Sequence, residues 1–243
     1  MDRRDFFKTI LATPVLAPFL LASQSSTSDE LFLIADRPDR YLPELLEELG
    51  RWNIVFGQSY SILNAHHREK ALSHALNLSG WTQAFRPQEA GLTISFRPLQ
   101  HPSAPSFTLV RAGRIWDVRT KRLLYLWRDM NTRHTLSSCL TVASMRTRQP
   151  HNARGDAVRI YKNGRVVEEI SLKKDLSKTF RAKQGNITVK IEQGKVFVPS
   201  SSCRHKICCS VPPVSLTGDR IVCAPNHFLL EIQGPGSIDT VIG

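Results

Sequence analysis

Four of the five cysteines in this chain, Cys203, Cys208, Cys209 and Cys223, lie within a stretch of 21 residues, while Cys139 stands apart. Such a group supports three kinds of chemistry: a structural disulfide, a thiol pair that exchanges electrons, or a metal or iron–sulfur site. The Cys-x4-Cys spacing of Cys203 and Cys208 is loose for a metal, and neither Cys-x2-Cys nor Cys-x-x-Cys-His is present. His205 and His227 are near enough in sequence to complete a site, but each reads equally as a histidine of a surface loop. The Cys-x-His and Cys-x-x-His pair of a Rieske centre is not matched by Cys203-Arg204-His205 and Cys223-Ala224-Pro225-Asn226-His227. A redox pair needs a depressed thiolate pKa, which the neighbouring Arg204, His205 and Lys206 would favour. The disulfide ranks first, the redox pair second and the metal third; no metal or other cofactor is assigned.

Elsewhere the chemistry is sparse. The chain has no glycine-rich phosphate loop, no His-Glu-x-x-His and no Gly-x-Ser-x-Gly elbow. His66 and His67 adjoin each other, and neighbours on a helix point to different sides. No catalytic residue is assigned, so the chain reads as non-enzymatic; catalysis would require residues that only folding brings together.

The cysteines must be positioned by the segment past Asp156, where short β runs are punctuated by glycine. Ala157–Tyr161 and Val166–Leu172 flank Lys162-Asn163-Gly164-Arg165, whose Asn-Gly favours a primed hairpin turn. Phe180–Ala182, Ile187–Glu192, Lys195–Val198, Arg220–Cys223, Phe228–Ile232 and Ile238–Ile242 continue the pattern toward an antiparallel sandwich or barrel. Upstream, Leu31–Ala35, Ile54–Phe56 and Leu92–Phe96 read as strands. They alternate with helices over Tyr41–Leu49 and His67–Leu78, which suggests a small α/β module. Pro98–Pro105 reads as loop, and Phe107–Val118 with Leu123–Trp127 as a hairpin carrying Trp116, Tyr125 and Trp127 among arginines. The fold class expected is therefore α+β, a small N-terminal α/β module followed by a mainly antiparallel β-barrel or sandwich. The segments are 1–23 (signal), 24–96 (α/β module), 97–155 (basic hairpin and linker) and 156–243 (β domain).

The run Cys203-x4-Cys208, a glycine turn at Gly218, and then Ile221-Val222-Cys223-Ala224-Pro225-Asn226 resembles the NusG domain II-like family. Lys206 and Ile207 fit the same pattern, and the resemblance covers roughly Asp156–Ile232. It implies a small β-barrel domain, found in exported or membrane-associated bacterial proteins as well as inside some NusG factors, and no catalytic activity. The family-like loop places Cys203 and Cys208 close enough to be joined. Cys209 is an extra thiol beside the pattern.

The chain carries a formal net charge of +12. Residues 97–154 hold eleven Lys and Arg against two Asp and Glu, whereas residues 24–96 hold six against nine. A basic face of this kind attracts polyanions. Arg114, Arg119, Lys121, Arg122 and Arg128 are its candidate anion-binding residues, with solvated arginines of no special role as the plain alternative.

The N-terminus weighs on the choice of polyanion. Arg3 and Arg4 precede Phe6, Phe7 and Lys8, and an uncharged apolar run follows from Thr9 to Ala22. That order resembles the twin-arginine export signal. The run is short for a membrane span and is interrupted by Pro14 and Pro18, so the mature chain is expected to have no transmembrane segment. Export to the periplasm, or otherwise out of the cytoplasm, disfavours nucleic acid and favours an acidic envelope protein or an anionic membrane surface as partner. The function expected is that of an exported, non-enzymatic binding or scaffold unit. A thiol-redox or electron-transfer accessory is the first alternative and a nucleic-acid-binding protein the second.

Overall fold

In the computed structural model of the protein, residues 29–51, 58–111, 113–116, 120–132, 135–145 and 153–234 are described. The export signal with Arg3 and Arg4, the strand expected at Ile54–Phe56, Arg119, most of the linker and Ile238–Ile242 lie outside them.

The first region is a seven-stranded sheet. Its strands are β1 (Asp29–Ile34), β2 (Ser59–Ile62), β3 (Thr82–Gln83), β4 (Leu92–Ser103), β5 (Ser106–Arg111), β6 (Arg114–Trp116) and β7 (Ser137–Met145), in the spatial order β3-β2-β4-β7-β1-β5-β6. β2 runs parallel to β3 and β4, and every other pair is antiparallel. Three helices accompany it: α1 (Pro38–Arg51), α2 (Glu69–Leu78) and α3 (Lys121–Thr132). α1 buries Leu42, Leu45, Leu46 and Leu49, and α2 buries Leu72 and Leu76, the 3–4 spacing of an amphipathic helix. Their apolar faces join Leu31, Leu33, Leu92 and Ile94 in one core.

Two expectations for this region fail. β4 runs through Pro98 to Ser103, where a loop was expected, because Phe96, Arg97 and Pro98 pair with Thr141, Leu140 and Cys139 of β7. The second strand of the basic hairpin is instead α3. Leu123, Leu126 and Met130 recur at helical spacing and are buried, and the Thr120 hydroxyl accepts the Leu123 N–H at 3.1 Å as an N-cap. The aromatic residues that suggested cross-strand packing, Tyr125 and Trp127, face outward. The hairpin that does form is β5–β6.

The second region consists of two smaller antiparallel sheets. β8 (Ala157–Lys162), β9 (Arg165–Ser171), β13 (Arg220–Cys223) and β14 (Phe228–Gln233) form one, ordered β13-β14-β8-β9. β10 (Leu176–Ala182), β11 (Gly185–Glu192) and β12 (Lys195–Ser201) form the other. The described chain is thus mostly β, in several antiparallel or mixed sheets, and none of them closes into a barrel. The two small sheets face a common core, with Val158, Ile160, Phe228 and Leu230 from one and Ile187, Val189, Val196 and Val198 from the other. Phe32, Ile34, Val110 and Leu140 of the first region enter that same core. The two regions are therefore packed together over an apolar face. No helix among the described residues is long and apolar enough to cross a membrane.

Candidate functional site

Strand ends and a single helical turn bring three cysteines together. β12 ends at Ser201, two residues before Cys203. Lys206 then adopts a left-handed backbone (φ 48°) that turns the chain into α4 (Ile207–Ser210), which carries Cys208. β13 ends in Cys223, and a short 3-10 turn, Ala224–Asn226, follows with Pro225 inside it. The thiols of Cys203, Cys208 and Cys223 lie within 4.8 Å of one another. Their residues are 2%, 1% and 3% exposed. The Cys203 and Cys208 sulfurs are 3.9 Å apart and unbonded, so the expected disulfide is not formed in this structure, and all five cysteines are free thiols. Cys209 follows Cys208 on the same helical turn, is only half-buried, and is outside the three-thiol group, as is Cys139.

Asn226 organises the polar side of this group. The Gln184 backbone N–H donates to its Oδ1 at 2.8 Å, which fixes the amide so that Nδ2 faces the sulfurs. Nδ2 donates to the Cys223 Sγ at 3.3 Å and to the Ser201 Oγ at 3.2 Å. Ser201 Oγ in turn accepts the Cys203 N–H at 3.3 Å and lies 3.8 Å from the Cys223 Sγ. Hydrogen bonds from the Cys208 and Cys223 thiols hold Cys203 well below the usual thiol range. Cys208 is pushed up by its hydrogen bonds with Cys203 and Cys223 and by burial. The motif positions thus have separate physical roles: Lys206 supplies the turn, Ile207 starts the helix, Pro225 shapes the 3-10 turn and Asn226 orients on the sulfurs. A cleft of about 170 Å³ opens beside the group, lined by Phe32, Ile34, Ile207 and Val211 together with the three cysteines and His205.

Sequence patterning gives no hint of a second polar centre, at the junction of the two regions. Arg220 of β13 is 2% exposed in its side chain. It reaches Glu231 of β14 at 2.5 Å and Glu30 of β1 at 3.0 Å. Tyr161 donates to the other Glu231 oxygen at 2.9 Å, and Ser144 donates to Glu30 at 3.2 Å. Burial works against the guanidinium charge, but Glu30 and Glu231 together hold Arg220 above its ordinary range. Burial and the adjacent Glu231 carboxylate push Tyr161 up to about 12. Arg97 of β4 adds a 2.7 Å ion pair to Asp219. Arg220 opens the strand that continues as Ile221-Val222-Cys223, and its partners lie in other elements, up to 190 residues away at Glu30, a distance no local spacing spans.

The candidate anion-binding residues are not equivalent. Arg122 forms a two-pronged ion pair with Glu47 at 3.0 and 2.9 Å, and hydrogen bonding from it lowers the Glu47 pKa. Arg114 is exposed, and its aliphatic stem lies over the β8–β9 turn at Gly164. Lys121 and Arg128 are exposed on the outer face of α3, with Tyr125 between them.

Residues 135–235 match the family model described as NusG domain II. The match supports the family resemblance of the C-terminal part and begins earlier than Asp156, taking in β7. No curated protein matches the chain. Three solved structures are similar to it over 32% of its length. A DUF1312 family protein from Ruminococcus gnavus is 27% identical, with 97% of that chain covered and a TM-score of 0.29. A protein from Listeria innocua is 23% identical, with 95% covered and a TM-score of 0.31. A DUF1312 family protein from Enterococcus faecalis is 15% identical, with 97% covered and a TM-score of 0.31.

Proposed function

We propose that this chain is an exported, non-enzymatic envelope protein that works as a binding and scaffold unit through its NusG domain II-like part and a basic outer face. One observation carries this reading: the clustered thiols and the polar groups around them are turned inward. The three clustered thiols are no more than 3% exposed, and Arg220, Glu231 and Asn226 are spent on buried partners. What the protein offers a partner is the exposed side of α3, where Lys121 and Arg128 flank Tyr125. Cations around an aromatic ring suit the headgroup layer of an anionic membrane. The paired Arg3 and Arg4 ahead of an apolar run support placing this face in the cell envelope.

The test has two arms. Arg3→Lys with Arg4→Lys is expected to leave the precursor in the cytoplasm; normal export of that variant removes the envelope reading. The mature protein is expected to float with phosphatidylserine vesicles at low salt and to be released as the Debye length falls from about 10 Å at 0.1 M to about 3 Å at 1 M. Removing Lys121 and Arg128 together should weaken binding by about 2 kcal/mol, roughly thirtyfold, at about 1 kcal/mol per cation. Binding that ignores salt, or no binding, removes the surface reading.

A second reading, a thiol-redox accessory, is favoured by the lowered Cys203 pKa beside a second thiol. It requires a partner thiolate to reach sulfurs that are buried in the core.

A further inference from the structure

The sulfur group contains three converging thiols, and a disulfide between Cys203 and Cys208 would use only two of them. We propose that Cys203, Cys208 and Cys223 form a binding site for one thiophilic d10 cation, zinc(II) in the first instance, with Asn226 as its positioning residue. The donor set has the right chemistry, since buried sulfur ligands select soft closed-shell ions. It also has nearly the right size. With zinc–sulfur bonds of about 2.3 Å, tetrahedral thiolates stand about 3.8 Å apart. The Cys203–Cys208 separation of 3.9 Å already meets this, and the widest separation in the group, bounded at 4.8 Å, needs about an ångström of closure.

Charge favours the divalent ion. Three buried thiolates around copper(I) leave two net negative charges, whereas zinc(II) leaves one, and uncompensated charge is costly in a dry interior. Each sulfur enters as a thiolate, and binding is balanced by the release to solvent of whatever protons the three thiols still carry as the zinc–sulfur bonds form. The fourth tetrahedral position falls to water, for which the adjoining cleft of about 170 Å³ has room.

Asn226 is the second observation that points to a ligand. It is 0% exposed, and the Gln184 N–H leaves its Nδ2 no choice but to face Ser201 and the Cys223 sulfur. A neutral thiol is a weak acceptor and a poor use of a buried amide donor. A metal-bound thiolate is a strong acceptor, and such outer hydrogen bonds hold metal ligands in register.

The experiment uses the full mature chain in two portions, one alkylated at lysis to record which thiols are free, the other kept unalkylated and loaded with zinc(II) under reductant, in competition with a chromophoric chelator. One zinc per chain is expected. Alkylation followed by peptide mapping should show Cys203, Cys208 and Cys223 protected by zinc, and the rates at Cys139 and Cys209 unchanged. Asn226→Ala should weaken zinc binding 10–100-fold. Cys223→Ser should weaken it further, while Cys139→Ser leaves it as it was. If the Cys223 variant does not fold, cobalt(II) loading of the wild-type chain gives the same answer, because thiolate-to-cobalt charge-transfer absorption counts the sulfurs and should report three. Fewer than three protected thiols, zinc held without protecting them, or a Cys203–Cys208 disulfide in the trapped protein would overturn the site.

Discussion

Between Asp29 and Met145 the strands of the large sheet find most of their partners far along the chain. β1 lies between β5 and β7, pairing Leu31 with Leu109 on one side and with Ala143 on the other. Between Ala157 and Gln233 most strands pair with their immediate successor: β8 with β9, β10 with β11, β11 with β12 and β13 with β14. The hairpin-built region stores its instructions in short turns. The large sheet stores them in which hydrophobic faces can be buried together, and that is settled only once distant segments meet. The two are then held together by Arg220, which takes one carboxylate from each side, and by the core that Phe32, Ile34, Val110 and Leu140 share with the small sheets.

The strongest way to break this comparison is to remove the bridge. Arg220→Ala leaves the buried Glu231 and the partly buried Glu30 at the junction with Tyr161 and Ser144 as their remaining side-chain donors among the described residues. Stranding buried carboxylates in this way should cost about 3–5 kcal/mol, a large part of the stability of an ordinary domain. All four tryptophans precede residue 128, so their fluorescence follows the first region, while alkylation of Cys223 follows the second. In the wild type the two urea transitions are expected to coincide, and both should shift in the variant. Separate midpoints in the wild type would show that the regions unfold independently despite the bridge.

The same contrast explains what the sequence alone could reveal. Asn163-Gly164 predicts its primed turn correctly because both residues take positive φ, 53° and 73°, which the residue types themselves favour. The cysteine motif is legible for a related reason: its elements are close in sequence and its turn, proline and asparagine have local tasks. α3 is less legible because its tyrosine and tryptophan favour a strand, while the helical spacing of Leu123, Leu126 and Met130 covers only three positions. The extension of β4 beyond Phe96 is missed because prolines mark loops, yet Pro98 is accommodated opposite Cys139. The Arg220 centre is invisible because its partners belong to β1 and β14, and nothing in the sequence links residue 30 to residue 220.

A medium-sized effect should separate turn instruction from packing. Gly164→Ala keeps every strand residue but forces a Cβ onto φ 73°, and that atom would stand 2.6 Å from the Arg114 Cγ. The arginine stem can swing aside, so backbone strain dominates, at about 1–2 kcal/mol. The loss should appear as faster amide exchange in β8 and β9, with β1 and β7 unchanged. Equal loosening of the large sheet would mean that the turn is not a local instruction.

The smallest effect lies in the first region and depends on pH. His66 stacks on Phe96 at 4.3 Å, and its Nδ1 accepts the Arg68 N–H at 3.2 Å where the chain enters α2. Burial, together with the charges of His67 and Arg68, lowers its pKa below 6.5. As pH falls through the unfolded value, the unfolded chain therefore takes up the proton before the folded one does, and stability declines with decreasing pH. An imidazolium cannot accept the Arg68 N–H, so the start of α2 is where the loss should be seen. Between about pH 7 and about pH 5, a range spanning the ordinary histidine pKa, amide exchange at the start of α2 should accelerate while β8–β14 hold. His66→Asn keeps a side-chain acceptor for the residue two positions on without a titrating group, and should flatten that dependence. If the variant retains the full acid-side loss, the decline belongs to groups other than His66. If the hairpin-built sheets loosen in step with α2, the two regions respond to acid as one, and the separation between local and long-range construction does not extend to their stability.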